Sequence, residues 1–290
     1  MAEQTEPERL PSAPAIPCFV GAGRWELARS VLFGAPLDVT VTFRPGSRFG
    51  PSTIRAVSPV LEEWSPVLSR GFGERPFHDA GDLELIPGDV SAALRSIEEV
   101  VGTIAGANRR PIMLGGEHLV TIAAIRGLAP RYPGLCVIQF DAHADLRGDY
   151  MGLTLSHATV MRRVAEVVGP KNLYQVGIRS GTAEEWEYAH DATHMHPYDV
   201  QLPVAWRDVL CEHPVYVTVD VDSVDPAFAP GTGTPEPGGP SAMDLLRAID
   251  ALDGLRLIGA DVVEVAPAYD LSGRTAVLAA KLVRELLLIS

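Results

Sequence analysis

Two short acidic segments, Asp141-Ala142-His143-Ala144-Asp145 and Asp220-Val221-Asp222, each end an apolar run and carry the residue types that hold divalent cations. On an extended backbone, side chains at i, i+2 and i+4 share a face. Asp141, His143 and Asp145 are therefore expected to converge, with Ala142 and Ala144 turned toward a neighbouring element. Asp220 and Asp222 repeat the arrangement across Val221. Crowding carboxylates costs on the order of several kcal/mol in repulsion and desolvation unless cations or protons neutralise them.

A third segment, Leu114-Gly115-Gly116-Glu117-His118, turns sharply at a glycine pair and presents a histidine, and a further apolar run closes at Glu264. His118, Asp141, His143, Asp145, Asp220 and Asp222 together give two imidazoles and four carboxylates, with no thiolate. That set suits two ions of the manganese type better than a structural zinc, and the imidazoles argue against calcium and magnesium. One bridging carboxylate from each cluster would hold the ions roughly 3.5 Å apart, with a water between them that ionises near neutral pH. An EF-hand is excluded, because Val224 and Asp225 fall where its loop needs an acid and a glycine. A His-Glu-x-x-His helix is missing, and Gly115-Gly116 has no phosphate-loop continuation.

These residues need a scaffold that brings strand ends together. Short apolar runs at Val31–Phe33, Pro111–Leu114, Leu135–Phe140, Leu173–Ile178, Val215–Val219 and Leu257–Val263 read as strands. Helical patterns fall between them, after an N-cap at Asp89 and over His118–Leu128, Ser156–Val168, Ser241–Leu252 and Thr275–Leu288. The alternation predicts an α/β fold with a mainly parallel central sheet covered by helices on both faces, a three-layer α/β/α sandwich. In such a sheet the ligand crevice lies beyond the carboxyl ends of the strands, where both aspartate clusters fall. The last helix is apolar on most of its circumference, which predicts burial in the core or between subunits.

With 290 residues, 47% of them apolar, the chain can bury a substantial core, and its net charge of -13 argues against a nucleic-acid partner. Cys18, Cys136 and Cys211 have no ligand-like or redox spacing, which favours a reducing compartment. Residues 1–17 are acidic and proline-rich with no signal-peptide pattern, and the apolar stretch Val277–Ile289 is interrupted by Lys281, Arg284 and Glu285. A cytoplasmic protein with no membrane partner is the expectation.

From Val31 to the C-terminus the chain resembles the ureohydrolases, the arginase and agmatinase superfamily, and is most similar to the agmatinases. The resemblance is carried by Gly34-Ala-Pro-Leu-Asp38, by residues 44–51 and 114–118, by the first aspartate cluster, and above all by residues 220–239. It implies a single arginase-like domain over residues 1–290, with 1–17 a flexible or oligomer-contacting arm. It also implies two Mn2+ ions, one held by His118, Asp141, Asp145 and Asp220, the other by His143, Asp141, Asp220 and Asp222. Glu264 would face the substrate guanidinium, and His157 in Leu155-Ser-His-Ala-Thr159 would shuttle protons or protonate the leaving amine. Asp145, His157 and Glu264 are then the catalytic set, and His157 and Glu264 the substrate-binding residues. The implied reaction is attack of a metal-bridging hydroxide on the guanidinium carbon, with Asp145 passing the proton to the leaving nitrogen. A homo-oligomer, a hexamer, is expected by the same resemblance.

Arginases use an acidic group after a Gly-x-Arg strand end to hold the amino-acid head of arginine. Here that region reads Gly177-Ile-Arg-Ser-Gly-Thr182, without the acids. Agmatine, cleaved to putrescine and urea in polyamine metabolism, fits better than arginine, with guanidinobutyrate as an alternative. A single-zinc deacetylase of related fold and a catalytically inert binding protein are the competing classes, and the full six-residue set weighs against both.

Overall fold

A computed structural model describes residues 12–13, as backbone, and 17–289. The strands are β1 (Ser12–Ala13), β2 (Ser30–Ala35), β3 (Trp64–Ser65), β4 (Arg70–Gly71), β5 (Phe77–Leu83), β6 (Arg110–Gly115), β7 (Cys136–Phe140), β8 (Leu173–Val176), β9 (His194–His196), β10 (Pro214–Asp220) and β11 (Arg256–Val263). The helices are α1 (Gly50–Val57), α2 (Val90–Gly106), α3 (Val120–Leu128), α4 (Val160–Val168), α5 (Ala183–Ala192), α6 (Val204–Leu210), α7 (Ala242–Asp250) and α8 (Arg274–Leu288). The arm expected over residues 1–17 falls mostly outside the described residues.

One sheet runs β1-β5-β2-β6-β11-β10-β7-β8-β9, parallel throughout except for the antiparallel edge strand β1. Alternation along each strand divides the core. Val31, Phe33, Met113, Val137 and Tyr216 pack with α2, α3 and α4 on one face. Leu32, Ile112, Leu114, Ile138 and Val217 pack with α1, α7 and α8 on the other. Buried on both faces, the central strands have to be continuous apolar runs, which is why they were readable. The result is the expected three-layer α/β/α arrangement.

The final helix is buried within the chain itself. Twelve residues of α8 are buried, including Arg284 and Glu285, which pair with each other. Arg110, half-buried and held down to about 10 by desolvation and then by the charge of Arg75, donates to the carbonyls of Leu287 and Ile289. It thereby satisfies orphan acceptors at the carboxyl end of that helix.

A fully buried guanidinium ties α1 to the sheet edge. Arg55 is 1% exposed and donates from Nε and Nη2 to Asp79 of β5, and Nη1 also reaches Asp82. Removing one partner of a buried pair strands the other charge. Arg55→Ala is therefore expected to destabilise the fold by about 3–5 kcal/mol, read as a lower midpoint in urea with an unchanged slope.

Candidate metal centre

Four adjacent strands, β6, β11, β10 and β7, deliver their carboxyl ends to one place. The chain leaves β6 through Gly115 and Gly116. A Cβ on Gly116 would lie 1.9 Å from the Leu37 carbonyl oxygen, so only glycine lets the two segments close on each other. His118 then enters beneath the cleft, 1% exposed, with its backbone N–H donating to Glu264 Oε1 at 2.7 Å.

The donor atoms of His118, Asp141 and Asp145 lie within 4.8 Å of one another, and so do those of Asp141, His143 and Asp222. Asp141 belongs to both groups, with Oδ2 3.0 Å from His118 Nδ1 and Oδ1 3.7 Å from His143 Nδ1. Asp220 joins the first group, 3.5 Å from His118 Nδ1, and Asp222 Oδ2 lies 3.0 Å from His143 Nδ1. All six residues predicted from the sequence are thus brought together.

The local backbone differs from the extended one predicted. Beyond Phe140 the chain leaves the sheet, and Asp145 adopts φ 53°, a left-handed conformation uncommon for a residue with a side chain. His143 and Asp145 consequently serve opposite sides of Asp141 rather than one shared point. Asp222 likewise sits in a tight turn, Val221–Ser223, whose first amide caps come from Asp220: Asp222 N donates to Asp220 Oδ1 at 2.8 Å. The turn, and not strand alternation, aims the second pair. Ala142 and Ala144 do allow close backbone packing, since Arg179 N and Ser180 N donate to the Ala142 carbonyl and Ala144 N donates to that of Ser180.

His118 Nδ1 and Asp222 Oδ2 are buried without a hydrogen-bond partner, although acceptor or donor atoms of the neighbouring ligand-type residues surround them. Convergent unpaired polar atoms of this kind fit a cation seat. The electrostatics agree. Burial alone would depress both histidines, yet Asp141 and Asp145 hold His118, and Asp222 and Asp141 hold His143, well above the ordinary value. Burial, followed by the charge of Asp141, pushes Asp145 up to about 7. Burial and the neighbouring carboxylates push Asp220 well up too. Such a cluster is neutralised either by protons or by cations.

Supporting residues that no local pattern singles out complete the centre. His118 Nε2 lies 2.9 Å from Thr218 Oγ1, and Thr218 sits over Thr121 and the fully buried Asp261, which also accepts from Tyr216. Gln139 donates to Asp141 Oδ2 and accepts from Gln175, a ladder across β7 and β8 that carries the 141–145 segment. Arg179 donates to the carbonyls of Asp222, Ser223 and Glu236 and so fixes the second cluster from behind. Except for Gln139 and Asp141, two residues apart, these partners are far apart in sequence, so pairwise spacing could not reveal them.

Glu264 and His157 both line the cleft above these groups, which has a volume of about 220 Å³ and suits a small molecule. Glu264, 5% exposed and at φ 64°, is held well above its ordinary value by burial and then by Glu117. His157 is lowered to about 4, chiefly by burial, so its imidazole is neutral at pH 7. Arg147 stacks on Tyr150 and lies 3.6 Å from Glu185, and Ser180 and Thr182, the latter donating to the same Glu185 carboxylate, also line the cleft.

A parallel sheet bearing linked His/Asp groups and a buried glutamate over its carboxyl edge is the frame of a ureohydrolase, a hydrolase of amidino C–N bonds. The chain belongs to the arginase family, whose model matches residues 28–289. It is 48% identical over 270 residues to an agmatinase of Bacillus subtilis, covering 91% of this chain and 92% of that one. It is 34% identical to a guanidinobutyrase of Pseudomonas aeruginosa, covering 88% and 84%. The crystal structure of the agmatine ureohydrolase of Thermoplasma volcanium superposes with a TM-score of 0.83 at 34% identity, covering 92% of each chain. Among the described residues no helix is long and apolar enough to cross a membrane.

Proposed function

We propose that this chain is an agmatinase that uses two manganese ions to hydrolyse agmatine to putrescine and urea. The observation that carries the substrate choice is the cleft wall after β8, where Ser180 and Thr182 stand in place of the acids an arginine-specific site would need. Similarity to the Bacillus subtilis agmatinase supports the same reading.

His118, Asp141, Asp145 and Asp220 would hold one ion, and His143, Asp141, Asp220 and Asp222 the other. Such ions would supply Lewis-acid chemistry that brings the pKa of a water in the cleft to near neutrality. Glu264 receives the guanidinium as a bidentate, charge-assisted pair, which relieves an uncompensated buried carboxylate and turns the guanidinium carbon toward the nucleophile. Asp145 moves the proton of the attacking water toward the leaving nitrogen. His157, neutral and at the mouth, takes up and returns a proton at Nε2 as the amine departs.

One feature favours a second reading. The guanidinium of Arg147 at the mouth would suit a tail carboxylate, as in guanidinobutyrate, although Glu185 offsets part of its charge. Urea release from agmatine, arginine and guanidinobutyrate with added manganese, alongside metal analysis of the same sample, separates these cases. Agmatine is expected to turn over fastest with two manganese ions per chain; faster arginine or guanidinobutyrate turnover overturns the assignment.

A further inference from the structure

Glu117 is fully buried, and no guanidinium or ammonium group of the described residues pairs with it. Its carboxylate instead gathers donors from the segment after β2. Oε1 accepts from Val39 N at 2.9 Å and Thr40 N at 3.1 Å, and Oε2 accepts from Thr40 N at 3.0 Å and from the Thr40 hydroxyl. The backbone is laced in the same place, with Gly116 N donating to the Ala35 carbonyl and Glu117 N to that of Leu37. Thr40 in turn faces His157. The His157 backbone N–H donates to Thr40 Oγ1 at 3.0 Å, and His157 Nδ1 lies 3.3 Å from the same oxygen.

A proton count along this chain fixes its direction. Backbone amides can only donate, and the Val39 and Thr40 amides between them reach both Glu117 oxygens, contacts that favour the ionised carboxylate, which can only accept. A threonine hydroxyl has one proton, and Thr40 places it on Glu117. Thr40 Oγ1 therefore meets His157 with lone pairs only, and contact with Nδ1 requires that Nδ1 carry the hydrogen. In a neutral imidazole the other nitrogen is then bare.

We propose that Glu117 and Thr40 are positioning residues that hold His157 in its Nδ1–H tautomer, leaving the Nε2 lone pair for the cleft. The ring is also braced edge-on by Tyr150, with centroids 5.7 Å apart, which restricts its rotation away from Thr40. Glu117 thus acts on chemistry through two intermediates: it orients the Thr40 hydroxyl, and Thr40 selects which nitrogen of His157 can take a proton. The inference rests on the reading of His157 as the proton carrier only for its kinetic consequence; the tautomer follows from the hydrogen bonds around an ionised Glu117.

Solid-state 15N NMR of the full-length chain labelled at histidine tests it, with the His157 ring signals assigned by their loss in His157→Asn. The wild-type chain and Thr40→Ser should both show a protonated Nδ1 and a bare Nε2. Thr40→Val, which keeps the shape and removes the hydroxyl, should move the proton to Nε2. With manganese and agmatine, Thr40→Val should lower kcat by on the order of 10²-fold with KM little changed, and Thr40→Ser should restore most of the rate. A proton on Nε2 in the wild-type chain, or an unchanged Nδ1–H in Thr40→Val, overturns the assignment. The spectra need no substrate, so this result is independent of whether agmatine is hydrolysed.

Discussion

Asp220→Asn is expected to lose manganese and activity together, with urea release falling by about 10³-fold or more. Asparagine has the shape of aspartate and can still accept from Asp222 N through its carbonyl oxygen, so the turn at 221–223 should survive. What disappears is one negative charge in a pocket where Asp141, Asp222 and Glu264 already crowd Asp220. Two stability effects of opposite sign follow. Without metal, relief of that repulsion should leave the variant at least as stable as the parent. With metal, the parent gains by mass action, about 2.7 kcal/mol when the free ion is a hundredfold above its Kd, whereas the variant should gain little. Elemental analysis and paired thermal melts with and without manganese read both effects. Two retained ions and full turnover would remove Asp220 from the bridging role, and Asp141→Asn provides the same test on the other shared carboxylate.

How much of this was legible in the sequence follows from burial. Strands β6, β7, β10 and β11 are covered on both faces, so each had to be an apolar run, and each announced the polar residue at its end. Strand β5 alternates buried and half-buried positions in Phe77-His-Asp-Ala-Gly-Asp-Leu83, and its polar residues hid it. Strand β9 is three half-buried residues, two of them histidine. Helix α1 opens on Gly50-Pro51, a pair that reads as a turn, and α5 and α6 bury only two residues and one, too few for an apolar stripe to show.

The ligand-type residues were readable for a different reason. Their chemistry is costly unless they act jointly, so residue type carried information that spacing alone did not. The ligand-type residues come together through a conformation other than the extended one expected, since a left-handed turn at Asp145 and a tight turn at Asp222 replace extended backbone. Thr218, Gln139, Arg179 and Glu117 lay beyond reach. Each acts on a partner on another element, and threonine or glutamine in a strand is ordinary until the partner is seen.

The second large effect is expected at Glu264, and it should separate from the first by leaving the metals in place. Glu264→Gln keeps the side-chain length, the buried volume and an Oε1 that accepts from His118 N, so the histidine beneath should not move. The backbone at φ 64° is equally tolerated by either residue. The loss is the charge alone. In the parent chain that carboxylate is buried beside Glu117 and has no guanidinium or ammonium partner among the described residues, which makes it costly when the cleft is empty and favourable when a guanidinium enters. Removing the charge from a desolvated, hydrogen-bonded ion pair costs about 2–5 kcal/mol, equivalent to on the order of 10²–10³-fold in kcat/KM. A neutral amide also presents one donor edge to the guanidinium, so orientation suffers along with affinity and kcat should fall as KM rises. Steady-state kinetics on agmatine, with manganese content measured on the same preparation, distinguishes the cases. Two ions retained with kcat/KM reduced to that extent places the guanidinium against Glu264. A loss below tenfold would leave the guanidinium to another group, and a loss of manganese would make Glu264 a support of His118 instead.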